Sequence, residues 1–475
     1  MSNAIGHFIA GESSFPRHEE TIEVRSPWSD ELVGTVPRGA GPSVQAALES
    51  CAGATKAWRR VPLADRIKRL MALRARIDRG RNELADLLVA EVGKPSKGAR
   101  LEVSRLIDAF DYYAAEAPLR LAEVQDGDEP ALQIVRDPVG VVVAILPFNF
   151  PVQLMSWKLL PAMLTGCATV VKPDPRTPLS TALLARWAHE TGWPAGVFNV
   201  VHGDAETGAA LVADPRVAKV AFTGSVRGGR AVYRSAADGI KRVTLELGGC
   251  GPLVVWKDAD IEGRIDQVRS RSFYNAGQYC FRINRAYVHR SRYEELVDRF
   301  VASASELKVG DPSLEDTDLG PLIDRDALDR VVANIENAEQ AGARLALDGR
   351  QHMQPNRNVI GPTIIADVPA SARVMCSETF GPVVSIAPVD ELEEAIERAN
   401  GTEFGLSAFA LARDPAVARA LRERLEAGSV WVNALDRASM AAPFGGIKQS
   451  GLGVEKSRWA FNEYLQPRAI YFADE

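Results

Sequence analysis

Cysteine is scarce in this chain. Five occur among 475 residues (Cys51, Cys167, Cys250, Cys280 and Cys376), an odd number without a CxxC pair. That pattern argues against a disulfide framework and against a zinc site, and it fits thiols kept reduced in a cytoplasm. Six histidines are scattered without HExxH or a similar spacing, so no metal is expected. No apolar run approaches the ~18–20 residues that cross a bilayer. The first residues lack the basic and long apolar regions of a secretory signal. Positive charge is not in excess: the formal net charge is −6 and basic residues are dispersed, which disfavours nucleic acid as a partner. What remains, with 46% apolar and 25% charged residues, is an ordinary globular chain long enough for two or three domains.

The texture changes along the chain. Residues 43–115 carry apolar positions at helical spacing, as in Arg66-Ile67-Lys68-Arg69-Leu70-Met71-Ala72-Leu73. From 140 onward, short Val/Ile/Leu runs appear at 140–146, 168–171, 197–201, 217–222 and 243–247. Helix-like stretches at 153–164, 179–191 and 227–237 separate them. Such alternation predicts a parallel sheet covered on both faces, with any ligand at the carboxyl edge of its strands. A second α/β series follows, with strands expected at 253–255, 286–289, 383–387, 407–411 and 430–433. Residues 131–136 and 464–472 look strand-like and fit neither series, which makes them candidates for pairing across a subunit interface.

Several segments at the expected carboxyl edge could carry chemistry. Pro147-Phe148-Asn149-Phe150-Pro151 holds one carboxamide between two prolines. Asn149 either donates to an oxyanion or caps the next helix. Lys172-Pro173 ends the next strand, where a lysine can meet ribose hydroxyls or simply be solvated. Phe222-Thr223-Gly224-Ser225-Val226-Arg227-Gly228-Gly229 opens a helix with a Gly-Ser turn suited to a pyrophosphate, although it is neither GxGxxG nor GxxxxGK[ST]. Glu246 ends an apolar strand before Gly248-Gly249; it must face a cleft, pair with a cation or accept a raised pKa of the kind a general base needs. Cys280 follows Asn275-Ala276-Gly277-Gln278-Tyr279 as a thiol on a Gly-containing backbone. Glu378-Thr379-Phe380-Gly381-Pro382 offers a carboxylate and a flat ring, and residues 443–453 form a Gly-dense loop.

Together these segments resemble the aldehyde dehydrogenase superfamily, from Phe8-Ile9-Ala10-Gly11 to the loop at 443–453, with the motifs in family order. The resemblance implies a Rossmann-like dinucleotide-binding domain (1–117 and 140–248) and a second α/β catalytic domain (249–442). It also implies a small β oligomerisation element (118–139 and 456–475) and assembly as a homodimer or homotetramer. By the same resemblance Cys280 is the nucleophile, Glu246 the base that activates water, and Asn149 part of the oxyanion hole. NAD or NADP would lie against Ile145, Leu146, Pro147, Phe148, Lys172, Pro175, Gly203, Gly208, Phe222, Gly224, Ser225, Gly229, Leu247, Glu378 and Phe380. An aldehyde would pass through a thiohemiacetal and a thioester to the carboxylic acid, with Glu246 favouring hydrolysis over transfer to coenzyme A.

Two departures from the family pattern stand out, at Pro175 and at Cys250. Pro175 occupies a position where many relatives carry a ribose-binding glutamate; with Arg176 beside it, NADP acceptance is open. The stretch Lys172-Pro173-Asp174-Pro175-Arg176-Thr177-Pro178 is similar to relatives acting on aromatic aldehydes. Cys250 stands where Lys or His is more usual. The expected pocket residues, Phe150, Leu154, Trp157, Tyr274, Tyr279, Phe281 and Met440, include no cation. This favours an uncharged aromatic or medium-chain aldehyde over a semialdehyde, with Arg282 and Arg437 the nearby residues able to upset that reading. A cofactor-independent thiol acyl-transferase or hydrolase, and a binding protein with a vestigial site, are the alternatives.

Overall fold

Five apolar runs between residues 141 and 246 become strands of one sheet because nearly every residue in them is buried. The computed structural model describes residues 4–121, 124–126 and 131–473. The rest lie outside the described residues, including part of the acidic stretch 125–129 and parts of the segments 1–117, 118–139 and 456–475. The five strands are parallel, in the spatial order Phe198–Val200, Ala168–Lys172, Val141–Ile145, Val217–Thr223, Arg242–Glu246. Val141–Ile145, the first of them in sequence, therefore lies in the middle. Connections leave it in opposite directions, and a crevice opens beyond its carboxyl end. Antiparallel strands His7–Ile9 and Glu12–Ser14 extend one side, and Gly451–Leu452 extends the other.

The second sheet repeats this plan. Its parallel strands run Thr363–Ala366, Val383–Val389, Ile283–His289, Gly251–Val255, Ser407–Leu411, Ser429–Val432, with Arg344–Leu347 antiparallel at the edge. Helices cover both sheets, so the chain has an α/β fold with a doubly wound, Rossmann-like first sheet. The predicted helical region 43–115 comprises four helices, Gly41–Trp58, Leu63–Arg79, Arg81–Val92 and Ser96–Arg120. The strands at 344–347 and 363–366 lie outside the series expected from the sequence, and 451–452 lies in the Gly-dense loop. Among the described residues no helix is long and apolar enough to cross a membrane.

The two strand-like pieces without a home find each other. Leu132–Pro138 pairs antiparallel with Leu465–Tyr471 along its whole length, and Val124–Asp126 adds a third strand. Pairing within the chain thus accounts for them before any second subunit is invoked. Leu465–Tyr471 is left as an edge strand, with Tyr471 77% exposed.

Candidate active site

The residues singled out in the sequence meet where the first sheet's carboxyl edge faces the second sheet. Asn149 sits just before the helix Pro151–Thr165, but it does not cap it. Its Nδ2 donates instead to the Gln278 carbonyl at 2.9 Å, and its Oδ1 has no partner. Glu102 caps that helix from a distance, accepting the Val152 and Gln153 amides at 3.2 Å each. Lys94 forms a buried ion pair with Glu102 and donates to the Asn149 carbonyl at 2.9 Å. The backbone of Asn149 is thus fixed by a buried pair in the helical region. Nothing in the local motif pointed to Lys94 or Glu102.

The segment leading to Cys280 is bent sharply. Asn275, Ala276 and Gly277 all take left-handed backbone angles (φ 53°, 53° and 69°), which side chains beyond glycine adopt reluctantly. Gly277 must be glycine for a second reason: a Cβ there would collide with the Gly381 carbonyl oxygen. A Cβ on Gly249 would likewise strike the Cys280 carbonyl. Close backbone approaches therefore bring the Glu246–Gly249 and Glu378–Pro382 segments against the cysteine. Cys280 remains partly exposed, whereas Cys250 is buried against Ser377. Burial, then the carboxylates of Glu378 and Glu246, push the Cys280 thiol pKa up.

Glu246 is 2% exposed, and neither carboxylate oxygen has a hydrogen-bond partner. Burial raises its pKa well above the usual range, and the nearby Glu455 adds to the effect. Lys158 opposes it. The Lys158 ammonium is itself buried, 2.7 Å from Glu455 and 2.6 Å from the Thr223 hydroxyl. Neither Lys158 nor Glu455 lies in a recognisable motif, so the local sequence does not mark them.

On the dinucleotide side, Lys172 is buried with its ammonium on the carbonyls of Pro173 (2.9 Å) and Gly203 (2.7 Å), and desolvation lowers its pKa to about 8. Gly208 packs against its side chain and against Ile145. Leu146 donates its amide to the Lys172 carbonyl, and Pro147 carries the chain onward from there. Ser225 caps the helix Val226–Ala237 through the Gly228 amide at 3.1 Å. A side chain at Gly224 would meet the Phe222 ring, and one at Gly229 would meet Leu247. Glu378 accepts the Gly249 amide at 3.1 Å, and its pKa is raised by burial to about 7. Phe380 lies edge-on to Phe148, 5.9 Å between centroids. Pro175 and Arg176 form a turn in which the Arg176 guanidinium is already engaged. It grips Asp174 at 2.8 and 2.9 Å and Asp324 at 2.6 Å, and lies 4.4 Å from the Phe148 ring centroid. Arg176 therefore offers no free cation to a 2′-phosphate, contrary to what its sequence position suggested.

All seven expected pocket residues fall into one apolar cluster with Cys280, joined by Leu406 and Phe444, which sequence reasoning had not selected. The rings are in contact: Phe150 stacks on Tyr274 at 6.0 Å, Tyr279 meets Phe281 at 5.1 Å, and Phe444 touches Phe281 at 5.3 Å and Trp157 at 5.4 Å. The expected lack of cations does not hold, because Arg105, Arg271 and Lys456 all approach these rings. Arg437 is exposed.

Arg282 has a structural task. It is 1% exposed and donates to the carbonyls of Ser272, Ile283, Thr379 and Val383 at 2.6–3.1 Å. Arg282→Met strands these acceptors beside the cysteine. A loss of about 3 kcal/mol or more is expected, readable as a lower denaturant midpoint; an unchanged midpoint would contradict the assignment.

The comparisons with known proteins agree with this geometry. The aldehyde dehydrogenase family matches residues 15–470. The chain is 38% identical to a betaine aldehyde dehydrogenase of Cereibacter sphaeroides over 98% of this chain and 97% of that one. It is 36% identical to the NADP(+) succinate-semialdehyde dehydrogenase of Escherichia coli, covering 96% and 95%. A crystal structure of an aldehyde dehydrogenase from Pseudomonas syringae, in complex with NAD+ and octanal, superposes with a TM-score of 0.94 at 32% identity, covering 98% and 96%. The chain belongs to the aldehyde dehydrogenase family.

Proposed function

We propose that this enzyme oxidises an aldehyde to the free carboxylic acid through a thioester on Cys280. The observation that carries the reading is the meeting of three groups in one cleft. These are a partly exposed thiol, a buried carboxyl with both oxygens unpartnered, and a carboxamide held at the Gln278 carbonyl. Cys280 attacks the carbonyl carbon, and the oxyanion that forms is stabilised by the Asn149 carboxamide with the Cys280 amide. Glu246, whose burial raises its pKa above the usual carboxylate range and so makes it a stronger base, takes a proton from water, and that water hydrolyses the thioester.

The cofactor is NAD or NADP, and the residues present fit it. The capped N-terminus of the helix Val226–Ala237 faces the crevice with Gly228 and Gly229 in its first turn, a setting for a pyrophosphate. Lys172 and Glu378 would take ribose hydroxyls, and Phe148 and Phe380 would flank the ring. When bound, the dinucleotide supplies the hydride acceptor. Ile145, Leu146, Pro147, Pro175, Gly203, Gly208, Phe222, Gly224, Ser225 and Leu247 complete the proposed surface.

The aromatic cluster supports an aldehyde with an apolar body, aromatic or of medium chain length. The four cations on the rings, Lys94, Arg105, Arg271 and Lys456, weigh against a requirement for an uncharged far end; a semialdehyde is the second reading. The segments 1–117 with 140–248, and 249–442, serve in this reading as dinucleotide-binding and catalytic domains. Residues 118–139 and 456–475 would join copies as a homodimer or homotetramer, supported by the exposed edge strand Leu465–Tyr471. The five free thiols suit a cytoplasmic setting.

The test is dinucleotide reduction with benzaldehyde, hexanal and succinic semialdehyde, each with NAD and with NADP. Stoichiometric acid and reduced dinucleotide from at least one pair are expected. Turnover of activated esters with no aldehyde oxidation would replace the dehydrogenase by a thiol hydrolase.

A further inference from the structure

Besides Lys94, which lies 3.7 Å from the Phe150 centroid but is paired with Glu102, three further cations converge on the aromatic pocket that holds Cys280. The Lys456 ammonium lies 5.2 Å from the Trp157 centroid and 6.0 Å from that of Phe444. The Arg271 guanidinium lies 5.5 Å from the Phe281 ring, and that of Arg105 lies 5.8 Å from Tyr274. All three residues are partly buried. They come from three separate places in the chain: the helix Ser96–Arg120, the helix Ile265–Phe273 and the C-terminal segment. Among the described residues neither Lys456 nor Arg105 has a carboxylate or hydrogen-bond partner. Two of the nearby acids are already engaged, Glu102 by Lys94 and Glu455 by Lys158, and the third, Asp436 near Arg271, is exposed.

Like charges crowded without a counter-ion are costly unless an anion joins them. The placement of Lys456 is also imposed. It and Ser457 both take left-handed backbone angles (φ 61° and 52°), and the Ser457 amide is tied to the Met440 carbonyl at 2.9 Å. That bond fixes the turn beside a residue of the pocket itself.

We propose that Lys456, Arg105 and Arg271 form an anion subsite on the wall of the aromatic pocket, and that the aldehyde oxidised here carries a carboxylate. This rests on the dehydrogenase reading above and narrows its substrate. Aromatic rings alone would suit a quaternary ammonium, but here their faces already meet cations, which would repel it. A carboxylate fits better than a phosphate. Arg271 commits Nε and Nη2 to the carbonyls of Leu435 and Arg437, so few donors remain for a dianion's oxygens. Desolvation, then Arg105 and Arg271, lower the Lys456 pKa to about 8, as expected for an ammonium whose counter-ion comes with the ligand.

The test compares kcat/KM for 4-carboxybenzaldehyde and succinic semialdehyde with benzaldehyde, betaine aldehyde and 4-formylphenyl phosphate. It uses wild type, Lys456→Met and Lys456→Arg. A carboxylated aldehyde is expected to lead in wild type by about tenfold or more. In Lys456→Met the ratio of 4-carboxybenzaldehyde to benzaldehyde is expected to fall about thirtyfold, mainly through KM, and Lys456→Arg is expected to restore most of it. A lead for benzaldehyde or betaine aldehyde, or a ratio unmoved by Lys456→Met, overturns the subsite and leaves the dehydrogenase standing. A lead for the phosphate ester overturns the carboxylate assignment. Oxidation of none of the five overturns the dehydrogenase reading and the subsite with it.

Discussion

Cys280→Ala is expected to lower kcat for aldehyde oxidation by about 10⁴-fold or more, while the protein stays folded and still binds the dinucleotide. No other thiol can stand in. Cys51, Cys167 and Cys250 are buried, and Cys376, though exposed, lies outside the aromatic cluster. The substitution removes one sulfur from a partly exposed position, so its effect on packing is small. The effect on chemistry is total, because the thioester cannot form without the sulfur. Dinucleotide absorbance measures the rate, and calorimetric titration with NAD and NADP measures binding. A residual rate within tenfold of wild type would remove Cys280 from the mechanism. Loss of binding together with rate would show that the residue is needed for structure instead.

Glu246→Gln separates the two halves of the cycle. The amide keeps the shape of the side chain but cannot take a proton from water, so hydrolysis of the thioester is expected to slow by about 10²–10⁴-fold. The first turnover should survive as a burst of about one reduced dinucleotide per active site, visible in stopped flow. The pH dependence has a definite sign. The Glu246 pKa is raised, mainly by burial, so its basic form accumulates only as pH climbs past the ordinary carboxylate range. Steady-state turnover of wild type should therefore rise with pH above the ordinary carboxylate range, as Glu246 loses its proton, where hydrolysis limits it, and that rise should be absent in Glu246→Gln. An equally slow first turnover, with no burst, would mean that Glu246 acts before the thioester and not on it.

Much of this was legible in the chain because the motifs are local. The strands 141–145, 168–172 and 217–223 are short apolar runs ended by proline or glycine, so the sequence marks both their path and their carboxyl ends. Gly249 and Gly277 sit at close backbone approaches, which is why the segments around Glu246 and Cys280 looked distinctive. What stayed hidden is held by long-range contacts. Lys94, Glu102, Lys158 and Glu455 look like ordinary surface charges in sequence and become buried only when distant segments close over them. Arg105 and Lys456 lie 351 positions apart and meet the same ring cluster, so a pocket without cations was the natural expectation. Arg344–Leu347 begins with an exposed arginine at a sheet edge, too short and too mixed to announce a strand.

One late segment does several jobs at once. Gly451–Leu452 pairs with the strand that ends in Glu246, Ile447–Lys448 pairs with Phe404–Gly405, and Phe444 exchanges backbone hydrogen bonds with Glu455 while its ring lines the pocket. During synthesis both large sheets have nearly all their strands before this segment leaves the ribosome, since their other strands end at residue 432. The thiol at 280 thus waits through more than a hundred and fifty further residues for its pocket wall. A nascent chain stalled short of residue 444 could build most of its two sheets but would have an open pocket, with Glu246 lacking its neighbour at 455. Competence for chemistry is, in this molecule, reached only once the chain extends past residue 455.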